Sequence, residues 1–184
     1  MNAQRRDPRV ITLDDVLTPS ECGEMLRVAE SAGYGEAPIT TPFGFVMRPD
    51  IRNNTRVMLD SPDRAAWLWD KLRSEIRVQS SDPVPVGLNE RLRFYRYEPG
   101  QFFDWHRDGS YRRNLREWST LTVLVYLDGD CEGGCTELKG MKVAPRAGRV
   151  LIFPHGIRHR GAPVTAGLKH VLRTDVMVRE RVVP

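Results

Sequence analysis

The stretch Leu168–Val178 reads LKHVLRTDVMV. On an extended strand Lys169, Val171, Arg173 and Asp175 share one side, and His170 faces away from Lys169. Upstream, RLRFYRY (91–97), STLTVLVYL (119–127) and RVLIF (149–153) alternate in the same way, with Gly, Pro and Asp between them. FGFVM (43–47) and TRVML (55–59) add shorter strands, and the breaker-rich SSDPVPVG (80–87) reads as a loop ahead of the strand-rich half.

Two helices precede that loop. Thr18 is a natural N-cap, Pro19 suits the first helical position and Glu21 completes a capping box. That helix carries Met25, Leu26 and Val28 and stops near Gly33. Ser61-Pro62-Asp63 repeats the start signal before Ala65, Leu68, Trp69, Leu72 and Ile76 at helical spacing. Helices followed by antiparallel strands predict an α+β, mainly β domain, with the helices buttressing a β-sandwich or jelly roll. Such a fold has an open mouth for a small site.

A chain of 184 residues suits one domain, and 40% hydrophobic with 28% charged residues is ordinary for a globular protein. The net charge of +4 comes from arginines spread along the chain, which argues for solubility rather than a nucleic-acid partner. No apolar run approaches the ~20 residues of a membrane span, and MNAQRRDPRVITLDD lacks the apolar core of a signal peptide. With three cysteines and no disulfide pattern, the expectation is a reduced, cytoplasmic protein that contacts no membrane.

Chemistry concentrates in FFDWHRDG (102–109), where His106 and Asp108 stand two apart and would face one way on a strand. An imidazole and a carboxylate are two metal ligands needing a third, and the remaining histidines are His155, His159 and His170. Two imidazoles and one carboxylate leave three sites open on an octahedral ion, the arrangement of non-haem iron(II) oxygenases. A dicarboxylate co-substrate would also need a buried cation. Lys169 fits that role, against the plainer reading of a strand-edge lysine that snorkels to solvent. Arg173 and Asp175 are expected to pair with each other inside the barrel. Cys131, Cys135, His155 and His159 imitate a Cys2His2 zinc site. However, 19 residues separate the pairs where a zinc finger uses about 12, and RVLIF between them reads as a strand.

Taken together, YRYEPGQFFDWHRDG (95–109), TVLVYLDGDCEGGCTEL (122–138) and RAGRVLIFPHGIRHRGAPVTAGLKHVLRTDVM (146–177) resemble the catalytic domain of prolyl 4-hydroxylase-type 2-oxoglutarate- and Fe(II)-dependent dioxygenases. The likeness covers roughly residues 90 to 178. It implies a double-stranded β-helix core over about 89–180, supported by about 1–88 within a single domain 1–184. It also implies that His106, Asp108 and His159 are the iron ligands, His159 being preferred to His155 by the match of HRGAPVTAGLK. Lys169 would pair with the far carboxylate of 2-oxoglutarate, Tyr97 would hydrogen-bond it, and Tyr126 would be a second such tyrosine.

Iron(II), 2-oxoglutarate and O2 follow as cofactor and co-substrates, with ascorbate as a candidate reductant. The implied reaction hydroxylates a C–H bond, foremost of a prolyl residue in a peptide or protein, and yields succinate and CO2. Alternatives are a free amino acid or metabolite as substrate, a nucleic-acid oxidative demethylase, or a non-catalytic binding module. Gly133, Gly134 and Thr136 match a GGxT turn of the family, read as backbone geometry. Leu138 departs from the family's usual aromatic, and Cys131 and Cys135 are not general features of it. Arg52, Asn53, Asn54 and Arg56 form a candidate substrate rim, with a solvated turn as the plainer reading. Trp105, Arg107 and Arg160 are candidates for the entrance. The oligomeric state stays open.

Overall fold

The strand Lys169–Arg179 is the axis of the molecule. In the computed structural model, which describes residues 9–76 and 83–181, it pairs antiparallel with Glu117–Tyr126 on one side and Arg91–Tyr97 on the other. The sheet continues through Val150–Pro154 to Ile11–Leu13, and in the other direction through Thr55–Asp60 to Gly35–Glu36. Val84–Leu88 pairs with the C-terminal half of the axial strand and completes eight strands. A four-stranded sheet, in the order Met141–Val143, Thr136–Leu138, His159–Gly161 and Phe103–His106, forms the second layer. The result is the expected mainly β jelly roll, with two helices among the described residues.

Strand alternation divides the core in two. Leu92, Phe94, Val123, Val125, Ile152 and Leu172 pack against the helices through Met25, Ala29, Leu68 and Leu72. Their neighbours one residue away, among them Leu124, Tyr126, Leu151, Phe153 and Val171, meet Leu138 and Val143 of the smaller sheet. Burying each such leucine contributes about 1.5–3 kcal/mol, so the pattern fixes register as well as stability: a one-residue slip would send Lys169, Arg173 and Asp175 into the helix-packed layer.

The helix Pro19–Ala32 begins as its sequence dictates. The Thr18 hydroxyl accepts from the Glu21 N–H, and the Glu21 carboxylate accepts from the Thr18 N–H at 2.8 Å. It ends at Gly33, whose φ is +79°. Just before it, the Val16 and Leu17 N–H groups donate to the Gly148 carbonyl. Gly148 has φ +77°, and a Cβ there would lie 2.1 Å from the Leu17 oxygen. No other residue fits that crossing. The second helix, Pro62–Leu72 with Ser61 as N-cap, stops short of Ile76, which is nevertheless buried.

Several element bounds differ from the sequence expectation. Val84–Leu88 is a strand rather than a loop. It has one ladder partner, so the missing N–H of Pro85 costs little at this edge. FGFVM contributes only Gly44–Val46, in a hairpin with Ile39–Thr41 that leaves Phe43 exposed. The strand expected over 119–127 runs from Glu117 to Tyr126. Residues 1–8, 77–82 and 182–184 lie outside the described residues. Among the described residues, no helix is long and apolar enough to cross a membrane.

Candidate active site

His106 closes its strand and is paired across the smaller sheet with His159, the first residue of the neighbouring one. Their rings lie 4.2 Å apart, centroid to centroid. Asp108 lies beyond the strand, so the same-face argument does not place it. Its N–H donates to the His155 carbonyl, and that turns the carboxylate inward. His106 Nε2 is 3.8 Å and His159 Nε2 3.5 Å from the Asp108 oxygens. Among the described residues these three form the one cluster with metal-ligand geometry, their donor atoms all within 4.8 Å of one another. Cys131 and Cys135 do not join His155 and His159, so the zinc alternative is not assembled.

The donor set fits a divalent metal on chemical grounds. His106 Nδ1 donates to the Asp104 carbonyl at 2.7 Å, and His159 Nδ1 to the Ile157 carbonyl at 3.0 Å. A carbonyl can only accept, so each ring carries its proton on Nδ1 and turns an Nε2 lone pair toward Asp108. Burial, with the neighbouring His159, lowers His106 to about 4, and burial lowers His159 too, so both are neutral donors near pH 7. Burial works to raise the Asp108 carboxyl. Arg173, the two histidines and Thr122 outweigh it and hold the carboxyl at about 2.

The support behind Asp108 was not expected from the sequence. Thr122 donates to one carboxylate oxygen at 2.6 Å, and Arg173 Nη1 lies 3.2 Å from the other. Because the Thr122 proton goes to Asp108, His155 Nδ1 must donate to the Thr122 oxygen, at 2.9 Å, and Ser119 then donates to His155 Nε2. His155 therefore belongs to a buried chain that orients the carboxylate. Arg173 does pair with Asp175, at 3.0 Å, but it also spans to Asp108. Asp175 is braced in turn by Arg93 and Asn89.

Lys169 is 1% exposed. Its ammonium donates to the Gly134 carbonyl and lies 4.8 Å from the Tyr97 ring centroid. Burial drives its pKa down from 10.5 to about 8, opposed in part by Cys131, Cys135 and Asp128. Gly133 and Gly134 both have positive φ, and a Cβ on Gly134 would press on Lys169 Cδ at 3.2 Å. The glycine pair thus gives the lysine both its room and its carbonyl partner. No carboxylate reaches this cation among the described residues, so its one charged partner would be an incoming anion. His170 lies on the opposite face, paired with Asp128.

His106, Asp108, His159, Lys169 and Tyr97 line one cavity with Tyr95, Phe103, Thr136 and Arg173. Tyr126 does not line it. Its buried hydroxyl donates to Thr136 at 2.7 Å. Arg52 is buried over the Tyr95 and Phe103 rings, with its Nε on Asn54, and Asn53 accepts from the Phe102 N–H. These residues fasten the Phe103–His106 strand to the larger sheet instead of forming a solvated turn. Trp105, Arg107 and Arg160 are absent from the cavity lining. Strand alternation places Trp105 on the face opposite His106.

Three side chains that could hold a metal ion thus share a jelly-roll cavity with a buried ammonium. Comparison with known proteins shows what the chain is similar to. Residues 92–174 match the 2OG-Fe(II) oxygenase superfamily. The chain is 27% identical to prolyl 4-hydroxylase 1 of Arabidopsis thaliana over 88% of its own length and 66% of that protein's. It is 28% identical to a PKHD-type hydroxylase of Paracoccus denitrificans, covering 86% of this chain and 73% of the relative. The fold is similar to that of a Pseudomonas putida prolyl-4-hydroxylase, with TM-score 0.68, 20% identity, and 95% and 94% of the two chains covered. It is also similar to a Trichoplax adhaerens prolyl hydroxylase solved with a peptide fragment of the hypoxia inducible factor oxygen degradation domain. There the TM-score is 0.70 at 17% identity, covering 91% of this chain and 83% of that one. The matched segment and these relatives support a 2OG-Fe(II) oxygenase, a class of dioxygenase that uses iron(II), 2-oxoglutarate and O2, and His106, Asp108 and His159 could bind its iron.

Proposed function

We propose that the protein hydroxylates a C–H bond of a prolyl residue in a peptide or protein, with conversion of 2-oxoglutarate to succinate and CO2. His106 and His159, through Nε2, and Asp108 hold the iron(II). Lys169 receives the far carboxylate of 2-oxoglutarate, and Tyr97 borders the same slot. The observation that carries this reading is Lys169: a fully buried ammonium with no carboxylate partner among the described residues, in the same cavity as the three candidate metal donors.

Iron and 2-oxoglutarate, when bound, supply the oxidising chemistry. The chain's own side chains do the rest. The two histidines offer lone pairs without first losing a proton, because their Nδ1 protons are committed to backbone carbonyls. Asp108 stays ionised at neutral pH and cannot swing, being held by Thr122 and Arg173. Lys169 is poised at one depth by Gly134, so a dicarboxylate is oriented as well as neutralised. Phe103 stacks on His106 at 3.5 Å and Phe153 meets His159 edge-on, which fixes both rings and keeps water from their faces. Tyr126, tied to Thr136, shapes the wall behind the slot. The peptide substrate rests on the prolyl 4-hydroxylase relatives and on the peptide-bound Trichoplax structure.

The test is an anaerobic titration of the iron(II) protein with 2-oxoglutarate, following the visible charge-transfer band of the chelate. Wild type should develop the band, His159→Ala should lose it and Lys169→Ala should require far more 2-oxoglutarate. Proline-containing peptides, with and without ascorbate, would then be screened by mass spectrometry for gain of one oxygen. Turnover on free amino acids or methylated single-stranded DNA, with none on peptides, would sink the peptide assignment.

A further inference from the structure

The face of the smaller sheet turned away from the active site carries a second recess. It is an open groove of about 700 Å³ that shares no lining residue with the catalytic cavity. Its origin is strand alternation. His106 and His159 point inward, so their neighbours Trp105, Arg158 and Arg160 point outward, and Arg107 joins them between the two ligand positions. Arg107, Lys139, Lys142 and Arg158 line the groove, and Arg160 borders it through Trp105.

Against these five cations stands one lining carboxylate, Glu137. It is 8% exposed and already engaged by Arg160 at 2.8 Å and Lys142 at 2.9 Å. The groove therefore carries a local excess of four positive charges. Trp105 organises it, with the Arg160 and Arg158 guanidinium groups 5.2 and 5.8 Å from its ring centroid. Among the described residues, neither Lys139 nor Arg158 pairs with a carboxylate.

We infer that this groove docks an acidic polypeptide segment. A ring engaged by guanidinium groups is a poor platform for stacking nucleic-acid bases, whereas guanidinium and ammonium groups spaced along a groove match successive Asp or Glu carboxylates. The smaller sheet ends at the Phe103–His106 strand, with Trp105 on its outer side and His106 on its inner side. Groove and reaction site thus lie on the two faces of one strand. Use of the groove by the substrate rests on the peptide-hydroxylase reading; the binding itself does not.

The experiment is fluorescence anisotropy of labelled peptides with the full chain, without turnover. The probes are an alternating Glu-Gly peptide, its Gln-Gly counterpart, and single-stranded DNA of matched charge. The Glu peptide should bind, the Gln peptide should not, and added salt should weaken the complex. Arg158→Glu and Lys139→Glu should each weaken binding roughly tenfold, while Arg27→Glu on the first helix, with the same change in net charge, should leave it within about twofold. Equal losses in Arg27→Glu and Arg158→Glu, binding of the Gln peptide, or tighter binding of the DNA would each overturn the assignment. Failure of peptide turnover with intact Glu-peptide binding would count against the substrate reading and not against the groove.

Discussion

Replacing Lys169 with Met should make the metal-free protein more stable, because the native fold holds a cation where burial opposes it. The fall in pKa from 10.5 to about 8 corresponds to about 3 kcal/mol of unfavourable charge burial. Methionine keeps most of the volume and gives up the hydrogen bond to the Gly134 carbonyl, a loss of about 1 kcal/mol. The net expectation is a gain of about 2 kcal/mol at pH 7. The sign of its pH dependence follows from linkage. Below pH 8 both native and unfolded chains carry the proton, so wild type bears the whole penalty. Between pH 8 and 10.5 the native lysine sheds its proton first, and wild type recovers stability as pH rises. Urea denaturation of both proteins at pH 7 and pH 10 should show a gap that closes at the higher pH. In wild type 2-oxoglutarate with a divalent metal should raise the melting temperature, and in the same variant it should not. Lower stability of Lys169→Met at pH 7, or a gap independent of pH, would refute the claim that this ammonium is held uncompensated for a ligand.

Arg173→Met should lower stability by about 3–5 kcal/mol, since it leaves Asp108 buried without its cationic partner; denaturant unfolding unchanged from wild type would show the pair to be dispensable. In acid, the metal-free protein should lose about 3 kcal/mol between pH 6.5 and 4, because the unfolded chain takes up a proton that the lowered His106 refuses. His106→Gln should flatten that segment of the stability profile, and an unaltered slope would reassign it to other groups. Gly148→Ala should cost more than about 3 kcal/mol or prevent folding, as the new Cβ meets the Leu17 carbonyl at a positive φ; expression with a near-normal melting temperature would sink that reading.

The fold was legible because its signals are local. Capping at Thr18 and Ser61 and two-residue alternation in 91–97, 119–127 and 168–178 each predict an element within a few residues of its place. What escaped depends on partners distant in sequence. Val84–Leu88 looks like a loop until the axial strand supplies its ladder, and no window reveals that Pro85 sits at an edge. The site divides along the same line. His106, Asp108 and Lys169 could be singled out by residue type and spacing and His159 by the family resemblance, yet the reason given for Asp108, a shared strand face, was not the operative one. Its carboxylate turns inward through the His155 carbonyl, Thr122 and Arg173, from three other parts of the chain.

The parity of the axial strand connects fold, site and cost. One face of Lys169–Arg179 gives Leu172 and Val176 to the helix-packed core, while the other carries Lys169, Val171, Arg173 and Asp175. The buried charges on that second face would be untenable singly. Asp175 and Asp108 neutralise Arg173, and Arg93 adds to the balance, which leaves Lys169 as the exception. The apolar face can offset one uncompensated ammonium because it is nearly dry and closely packed, with Leu172 and Val176 both at 0% exposure. An enzyme that needed no dianion would gain by replacing that lysine with an apolar residue. On the proposed function, a lysine in this position beside three metal donors serves ligand binding at a cost to folding.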